Sequence, residues 1–250
     1  ALAFLYFLDK KCDIVVLECG MGGLEDANNL IKTTICAVFA SVSMDHMEAL
    51  GGSLEEIARQ KAGIIKENCT VISCGQKEEV METIRREAEK KGCPLRIADG
   101  NDAKYVKYGL SKQRFTYGGH KDLEITLAGR HQIANAVLAV EVSEALEAAG
   151  FVIPERALRE GLSAAKWPGR FSIMGKNPLF VLDGAHNEDG AKMLAQSVEY
   201  YFSHKKIIYI MGILADKEYD KVIEKTASYA SEVITVMTPD NVRALPAKDL

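Results

Sequence analysis

Short apolar, β-branched runs alternate with helical stretches along this chain, and that alternation leaves few folds open to it. Asp13-Ile14-Val15-Val16-Leu17-Glu18, Thr34-Ile35-Cys36-Ala37-Val38-Phe39-Ala40, Thr70-Val71-Ile72-Ser73 and Leu95-Arg96-Ile97-Ala98 read as strands, the first of them buried and stopped by glycines. Between them, Ser53-Leu54-Glu55-Glu56 has the serine-then-glutamate spacing of a helix cap box, and Ile57, Ala58, Lys61 and Ile65 follow at helical intervals. Glu78 to Lys91 is a charged amphipathic helix stopped by Gly92. Strands and helices at this spacing predict an α/β protein built of βαβ units around a mostly parallel sheet.

The pattern changes between 104 and 128. Tyr105-Val106-Lys107-Tyr108, Arg114-Phe115-Thr116-Tyr117 and Leu123-Glu124-Ile125-Thr126-Leu127 alternate in polarity, with Gly118-Gly119 between the last two, and predict a small antiparallel meander. Helices follow over 131–149 and 154–165, the second with Pro154 in its first turn. Trp167-Pro168-Gly169-Arg170 is the expected joint, dividing the chain into domains 1–167 and 168–250. Beyond it, strands at 179–182, 207–210 and 233–236 alternate with helices at 189–202 and 216–230, which predicts a second parallel α/β domain. The opening Ala1-Leu2-Ala3-Phe4-Leu5-Tyr6-Phe7-Leu8 lacks a basic n-region and reads as the end of a buried helix.

Composition excludes several function classes. A net charge of −4 without a basic stripe argues against nucleic acid, and the apolar runs are too short to span a membrane. The six cysteines form no C-x-x-C pair, so reduced thiols in a cytoplasmic chain are expected rather than a zinc site.

Chemistry-bearing residues stand where strands end, which is where ligands bind in open α/β sheets. Glu18 ends the first apolar run and could hold a hard cation through oxygen, or simply terminate a strand. Gly20-Met21-Gly22-Gly23 lacks the third glycine of a dinucleotide fingerprint, Glu25 standing there; a tight loop that lets backbone approach a ligand fits better. His46 in Met44-Asp45-His46 follows the next strand and is a ligand candidate, or a structural histidine. Lys61 lies among Ile57, Ala58, Ala62, Ile64 and Ile65. Desolvation there would favour a neutral amine able to take up CO₂ as a carbamate, whereas a snorkelling lysine keeps its head in water. In Leu182-Asp183-Gly184-Ala185-His186-Asn187, Asp183 faces a nucleotide or Asn187 caps the next helix.

Taken together these residues resemble the folylpolyglutamate synthase / dihydrofolate synthase family of the Mur-ligase superfamily. The likeness covers nearly the whole chain. It rests on Glu18-Cys-Gly-Met-Gly-Gly, Asp26-Ala-Asn-Asn, Asp45-His46, residues 55–66, His131-Gln132-Ile-Ala-Asn135-Ala136, Trp167-Pro168-Gly169-Arg170, Asp183-Gly-Ala-His186-Asn187 and Arg243-Ala244-Leu245, in family order. The resemblance implies a Mur-ligase-like central parallel-sheet domain with its meander, plus a Rossmann-like C-terminal domain. It implies Mg²⁺ on Glu18 and His46, a carbamylated Lys61, ATP contacts from Asn135, Arg170 and Asp183, His186 near the nucleotide and the incoming glutamate, and Asp26 on the pterin side. The implied reaction is ATP-dependent ligation of L-glutamate to dihydropteroate or a folate through an acyl phosphate, by a monomer with small-molecule substrates only. Leu24 and Asn28 stand where the family has arginine and threonine. No G-x-x-x-x-G-K-[ST] occurs in the chain, so the expectation is a fragment, inactive alone, whose phosphate loop lies upstream. A peptidoglycan-precursor ligase of the same superfamily and a non-catalytic nucleotide-binding protein are the competing readings.

Overall fold

The computed structural model describes residues 2–44 and 47–250, with the side chain of Glu48 left aside. In chain order the elements are α1 (Leu2–Asp9), β1 (Cys36–Phe39), α2 (Met47–Leu50), α3 (Leu54–Ala62), β2 (Thr70–Cys74), α4 (Glu78–Lys90), β3 (Leu95–Ala98), β4 (Lys104–Lys107), β5 (Gln113–Tyr117), β6 (His120–Ile125), α5 (Gln132–Ala148), α6 (Glu155–Ala164), β7 (Ser172–Lys176), β8 (Leu179–Leu182), α7 (Glu188–Phe202), β9 (Ile208–Met211), α8 (Tyr219–Thr226) and β10 (Glu232–Thr235). The chain forms two compact units. One comprises residues 1–37, 42–71 and 76–95; the other comprises 38–41, 72–75 and 96–250. A three-stranded sheet has the order β1-β2-β3, its neighbours joined through helices rather than hairpins.

In the first unit α3 packs on α4. The apolar stripes met at helical spacing in the sequence supply the contact: Ile57, Ala58 and Ala62 from α3, Val80, Ile84 and Ala88 from α4, all buried. Ser53 caps α3 by accepting from the Glu56 amide at 3.2 Å. The Glu56 carboxylate in turn accepts from Gly52 N at 2.9 Å, one residue earlier than a standard cap box places it.

In the second unit the meander forms as expected, in the order β4-β5-β6, antiparallel throughout. The α6 helix lies against β6, with Thr126 Oγ1 donating to the Ser163 and Ala165 carbonyls. Residues after 168 share a core with the meander's neighbours: Ala128, Phe171, Val198 and Phe202 cluster, with Tyr201 and Val181 against them. Arg130 lies over both Tyr108 and Tyr200, 5.0 and 5.2 Å from the ring centroids. Arg243-Ala244-Leu245 is used structurally here. Arg243 pairs with Asp216, and Leu245, buried, donates its amide to Ile213 O.

Three expectations are corrected. Residues 13–18 form no strand. They pair with no strand among the described residues, and Val16 is 92% exposed, because an apolar run becomes a strand only where a neighbour completes its ladder. The α1 helix exists, yet none of its residues is buried. In the second α/β region, β8 pairs antiparallel with β7, a strand the sequence reading missed, while β9 and β10 form a separate parallel pair. The Pro178 turn brings β7 and β8 together before any helical crossover can intervene.

Candidate active site

The first set of site residues is organised by a glycine loop resting on the end of α3. Asp26 shapes the loop: its Oδ2 accepts from the Gly20 and Met21 amides at 2.8 and 3.1 Å, and its Oδ1 accepts from the Asn28 amide at 2.8 Å. Asn28 Nδ2 donates to the Glu18 carbonyl at 2.9 Å, so the asparagine in place of the family's threonine ties the loop back to the strand-end glutamate. The Leu24 amide donates to Gln60 O at 2.7 Å, and Asn29 Nδ2 donates to Gly63 O at 3.1 Å. A Cβ on Gly23 would lie 2.7 Å from the Lys61 carbonyl oxygen. Only glycine lets the loop lie this close to the last turn of α3.

This packing puts Lys61 beside the loop. The charges of Asp26, Lys61, Lys66 and Glu18 all act on the Cys19 thiol, whose pKa is raised first by burial and then by Asp26. Glu18 is exposed, and its carboxylate has no partner among the described residues. That suits a hard cation, which takes one or two protein oxygens and the rest from water and phosphate. His46, the second expected ligand, lies outside the described residues. Among the described residues no group of three or more His, Cys, Asp and Glu converges as a metal cluster.

The amides of Asn28 and Met21 hold the Asp26 carboxyl below the usual carboxylate range, with Gly20 adding to them and slight burial opposing. A carboxyl depressed in the folded state contributes stability that is present above its unfolded pKa, about 3.9, and is lost as pH falls through the lower folded value. The loop is therefore expected to hold at neutral pH and to loosen only below about pH 4. Asp26→Ala should lower amide protection at Gly20, Met21 and Asn28 already at pH 7, measured by hydrogen exchange. Unchanged protection would show that the loop holds itself without this carboxylate.

The second set lies in the second unit. Asp183, directly after β8, ties the turn at Gly169–Phe171 to its own loop: Oδ2 accepts from the Phe171 amide at 2.8 Å and Oδ1 from the Ala185 amide at 2.9 Å. Gly169 takes φ +83, which the turn requires. Arg170 is exposed. His186 Nδ1 meets the Gly184 carbonyl at 2.8 Å, and Asn187 caps α7 by accepting from the Gly190 amide at 2.9 Å. Asn135, in the first turn of α5, donates Nδ2 to the Oε1 of buried Gln132 at 3.0 Å.

His131 stands directly before α5, one turn ahead of Asn135. Burial lowers its pKa, with Asp183 opposing and Arg170 assisting, which places it within reach of both charges; its Nδ1 is buried without a partner among the described residues. Its spacing of four from Asn135, one helical turn, was the available signal. A depression of about 350 Å³ on the meander, lined by Tyr105, Lys107, Phe115, Thr116, Lys121 and Asp122, includes none of these residues.

Residues 1–143 match the Mur ligase middle domain, and residues 169–250 match the Mur ligase glutamate ligase domain. The chain belongs to the Mur ligase family. It is 35% identical over its whole length to the dihydrofolate synthase/folylpolyglutamate synthase of Bacillus subtilis (strain 168), covering 59% of that protein. It is 33% identical over 98% of its length to the folylpolyglutamate synthase of Lacticaseibacillus casei, covering 58% of it. It thus spans less than two thirds of these curated relatives. Among solved structures, Mycobacterium tuberculosis folylpolyglutamate synthase complexed with ADP and AMPPCP superposes with a TM-score of 0.88 at 30% identity, over 98% of this chain and 57% of that one. An FPGS–AMPPCP–folate complex superposes with a TM-score of 0.87 at 30% identity, over 94% of this chain and 58% of that one. No helix among the described residues is long and apolar enough to cross a membrane.

Proposed function

We propose that the polypeptide carrying these residues ligates L-glutamate to the carboxylate of dihydropteroate or of a folate (poly)glutamate, with ATP as co-substrate. The observation that supports the reading is the glycine loop seated on α3, with Asp26 holding its amides and the charges of Lys61 and Glu18 both reaching the Cys19 thiol, in a chain whose named relatives are dihydrofolate and folylpolyglutamate synthases. On this reading 1–167 is the central domain and 168–250 the glutamate-ligase domain.

Glu18 and His46 would hold Mg²⁺, which when bound would supply charge neutralisation on the phosphates. The chain's own groups position and stabilise. Lys61, as a carbamate, presents two oxygens and one negative charge beside the loop. Asn135, oriented by Gln132, and Asp183 with Arg170 hold the nucleotide. The substrate carboxylate attacks the γ-phosphorus and ADP leaves; the neutral glutamate amine then attacks the acyl phosphate, and phosphate leaves as the new amide nitrogen gives up a proton. His186 stands near the incoming glutamate. Phosphoryl transfer of this kind needs orientation and preorganised charge more than covalent help.

The test is a ligation assay on the polypeptide that carries these residues, with ATP, Mg²⁺, L-glutamate and either dihydropteroate or a reduced folate. ADP release that requires both the pterin carboxylate and glutamate is expected, with a product one glutamyl residue heavier. ADP release that instead requires a uridine-nucleotide peptide precursor would overturn the folate reading.

A further inference from the structure

Cys69 and Cys93 are 24 residues apart in sequence, yet their sulfurs lie 3.7 Å apart in a buried setting. Their backbones run side by side, with the Val71 amide donating to Pro94 O at 2.9 Å and the Asn68 amide to Lys91 O at 3.5 Å. Neighbouring paired segments lie about 4.8 Å apart, inside the Cα range that a disulfide spans. The sulfurs need to approach by only about 1.7 Å to reach bonding distance, about 2.05 Å. All six cysteines are free thiols in this structure.

We propose that Cys69 and Cys93 are a modification site: a dithiol that a hydroperoxide closes to a 69–93 disulfide. The two thiols differ in access. Cys93 follows Gly92 in the turn after α4 and is 8% exposed, against 1% for Cys69. Cys93 is therefore the thiol an oxidant reaches. Its sulfur attacks the peroxide O–O bond, giving the sulfenic acid and one alcohol or water. Cys69 sulfur then attacks the sulfenic sulfur, forming the S–S bond and releasing water that carries the thiol proton. In sum, two thiols and one hydroperoxide give one disulfide, one alcohol (or water) and one water.

Burial, reinforced by the neighbouring Cys93 thiol, pushes Cys69 up to about 11. Cys69 is thus protonated at neutral pH, so closure is slow there and quickens as pH rises. The bridge would act on a turn that matters to the candidate site. Cys93 Sγ now donates to Lys66 O at 3.0 Å, and Lys91 Nζ donates to Ile65 O at 2.6 Å. The same turn presents Gly63 O to Asn29 of the glycine loop. Closing 69–93 replaces the Cys93–Lys66 contact by a covalent tie and stiffens the support beneath that loop. The proposal does not depend on the ligase reading.

The test is treatment of the folded 250-residue chain with hydrogen peroxide at pH 7 and pH 9, followed by alkylation and non-reducing peptide mapping. The expected result is loss of two of the six thiols, a 69–93 linked peptide 2 Da lighter than its reduced pair, faster formation at pH 9, and reversal by dithiothreitol. The bridged form should melt roughly 5–10 °C higher, since a closed loop of this length restricts the unfolded chain. Cys93→Ser should abolish the bridge and leave Cys69 unoxidised at the same dose. Three results would each overturn the proposal: both thiols intact until the protein unfolds, Cys93 carried to the sulfinic acid without bridging, or a bridge to Cys19, Cys36 or Cys74 instead. The mapping on the unsubstituted chain stands even if a variant fails to fold.

Discussion

Lys61→Arg is expected to reduce ligation turnover by 10²–10³-fold in the polypeptide carrying these residues, while moving the melting temperature by less than about 2 °C. The two halves of this expectation come from different atoms. The backbone carbonyl of Lys61 is what Gly23 packs against, and arginine keeps it, so the glycine loop stays seated. The side chain is half-buried, and its ammonium has no hydrogen bond or ion pair among the described residues, so little folding stability rests on it. The proposed role needs a neutral amine that reacts with CO₂ and loses a proton to become an anion. Arginine remains cationic at any relevant pH and cannot do this. On that proposal it would place a positive charge where the two carbamate oxygens belong. Losing one preorganised electrostatic group typically costs about 2.7–4 kcal/mol of transition-state stabilisation, hence the range given. Lys61→Ala should behave alike, with partial recovery in added bicarbonate or a short carboxylate. Near-normal turnover in Lys61→Arg would leave Lys61 as a solvated helix residue.

Gly63→Ala is expected to lower stability by about 2–4 kcal/mol, or roughly 5–12 °C in melting temperature. Gly63 has φ −58 and ψ −15, ordinary helical backbone, so conformation alone would favour alanine by about 0.5–1 kcal/mol. Sterics reverse the sign. A Cβ there would lie 2.4 Å from Leu24 Cα, 2.6 Å from its Cβ and 2.8 Å from its nitrogen. Leu24 cannot retreat freely, because its amide is bonded to Gln60 O at 2.7 Å and Asn29 holds Gly63 O from the same loop. Relief of the clash means unseating the loop, with the loss of those hydrogen bonds. Gly161→Ala is the control. It lies in α6 with open space where the Cβ would go, and a gain of about 0.5–1 kcal/mol is expected. Equal melting of Gly63→Ala and the parent protein would mean that the loop does not rest on α3 as described.

What the sequence by itself determined is local or carried by ordered motifs. Ser53 and Asn187 announce their helices because a short side chain with an oxygen satisfies amides within three residues. The meander was legible because polarity alternates with period two on a half-exposed sheet and Gly118-Gly119 marks its turn. Family membership was legible because eight short motifs in one order are far more specific than any one of them. The candidate residues were legible as types, yet their partners were not. That Asp26 binds the amides of its own loop, and that Gln132 orients Asn135, follows from side-chain directions no spacing rule supplies.

Tertiary structure alone decided the matters that depend on residues distant in sequence. Residues 13–18 and β8 carry the same kind of apolar run. One remains unpaired among the described residues and the other takes an antiparallel neighbour, because a strand is defined by its partner rather than by its composition. Likewise the contact of Gly23 with Lys61, 38 positions apart, and that of Cys69 with Cys93 exist only once the turns after α3 and α4 have packed. Periodicity reports which face of an element is apolar; which surface that face meets is settled by close packing, where a single Cβ at 2.7 Å is enough to forbid the arrangement.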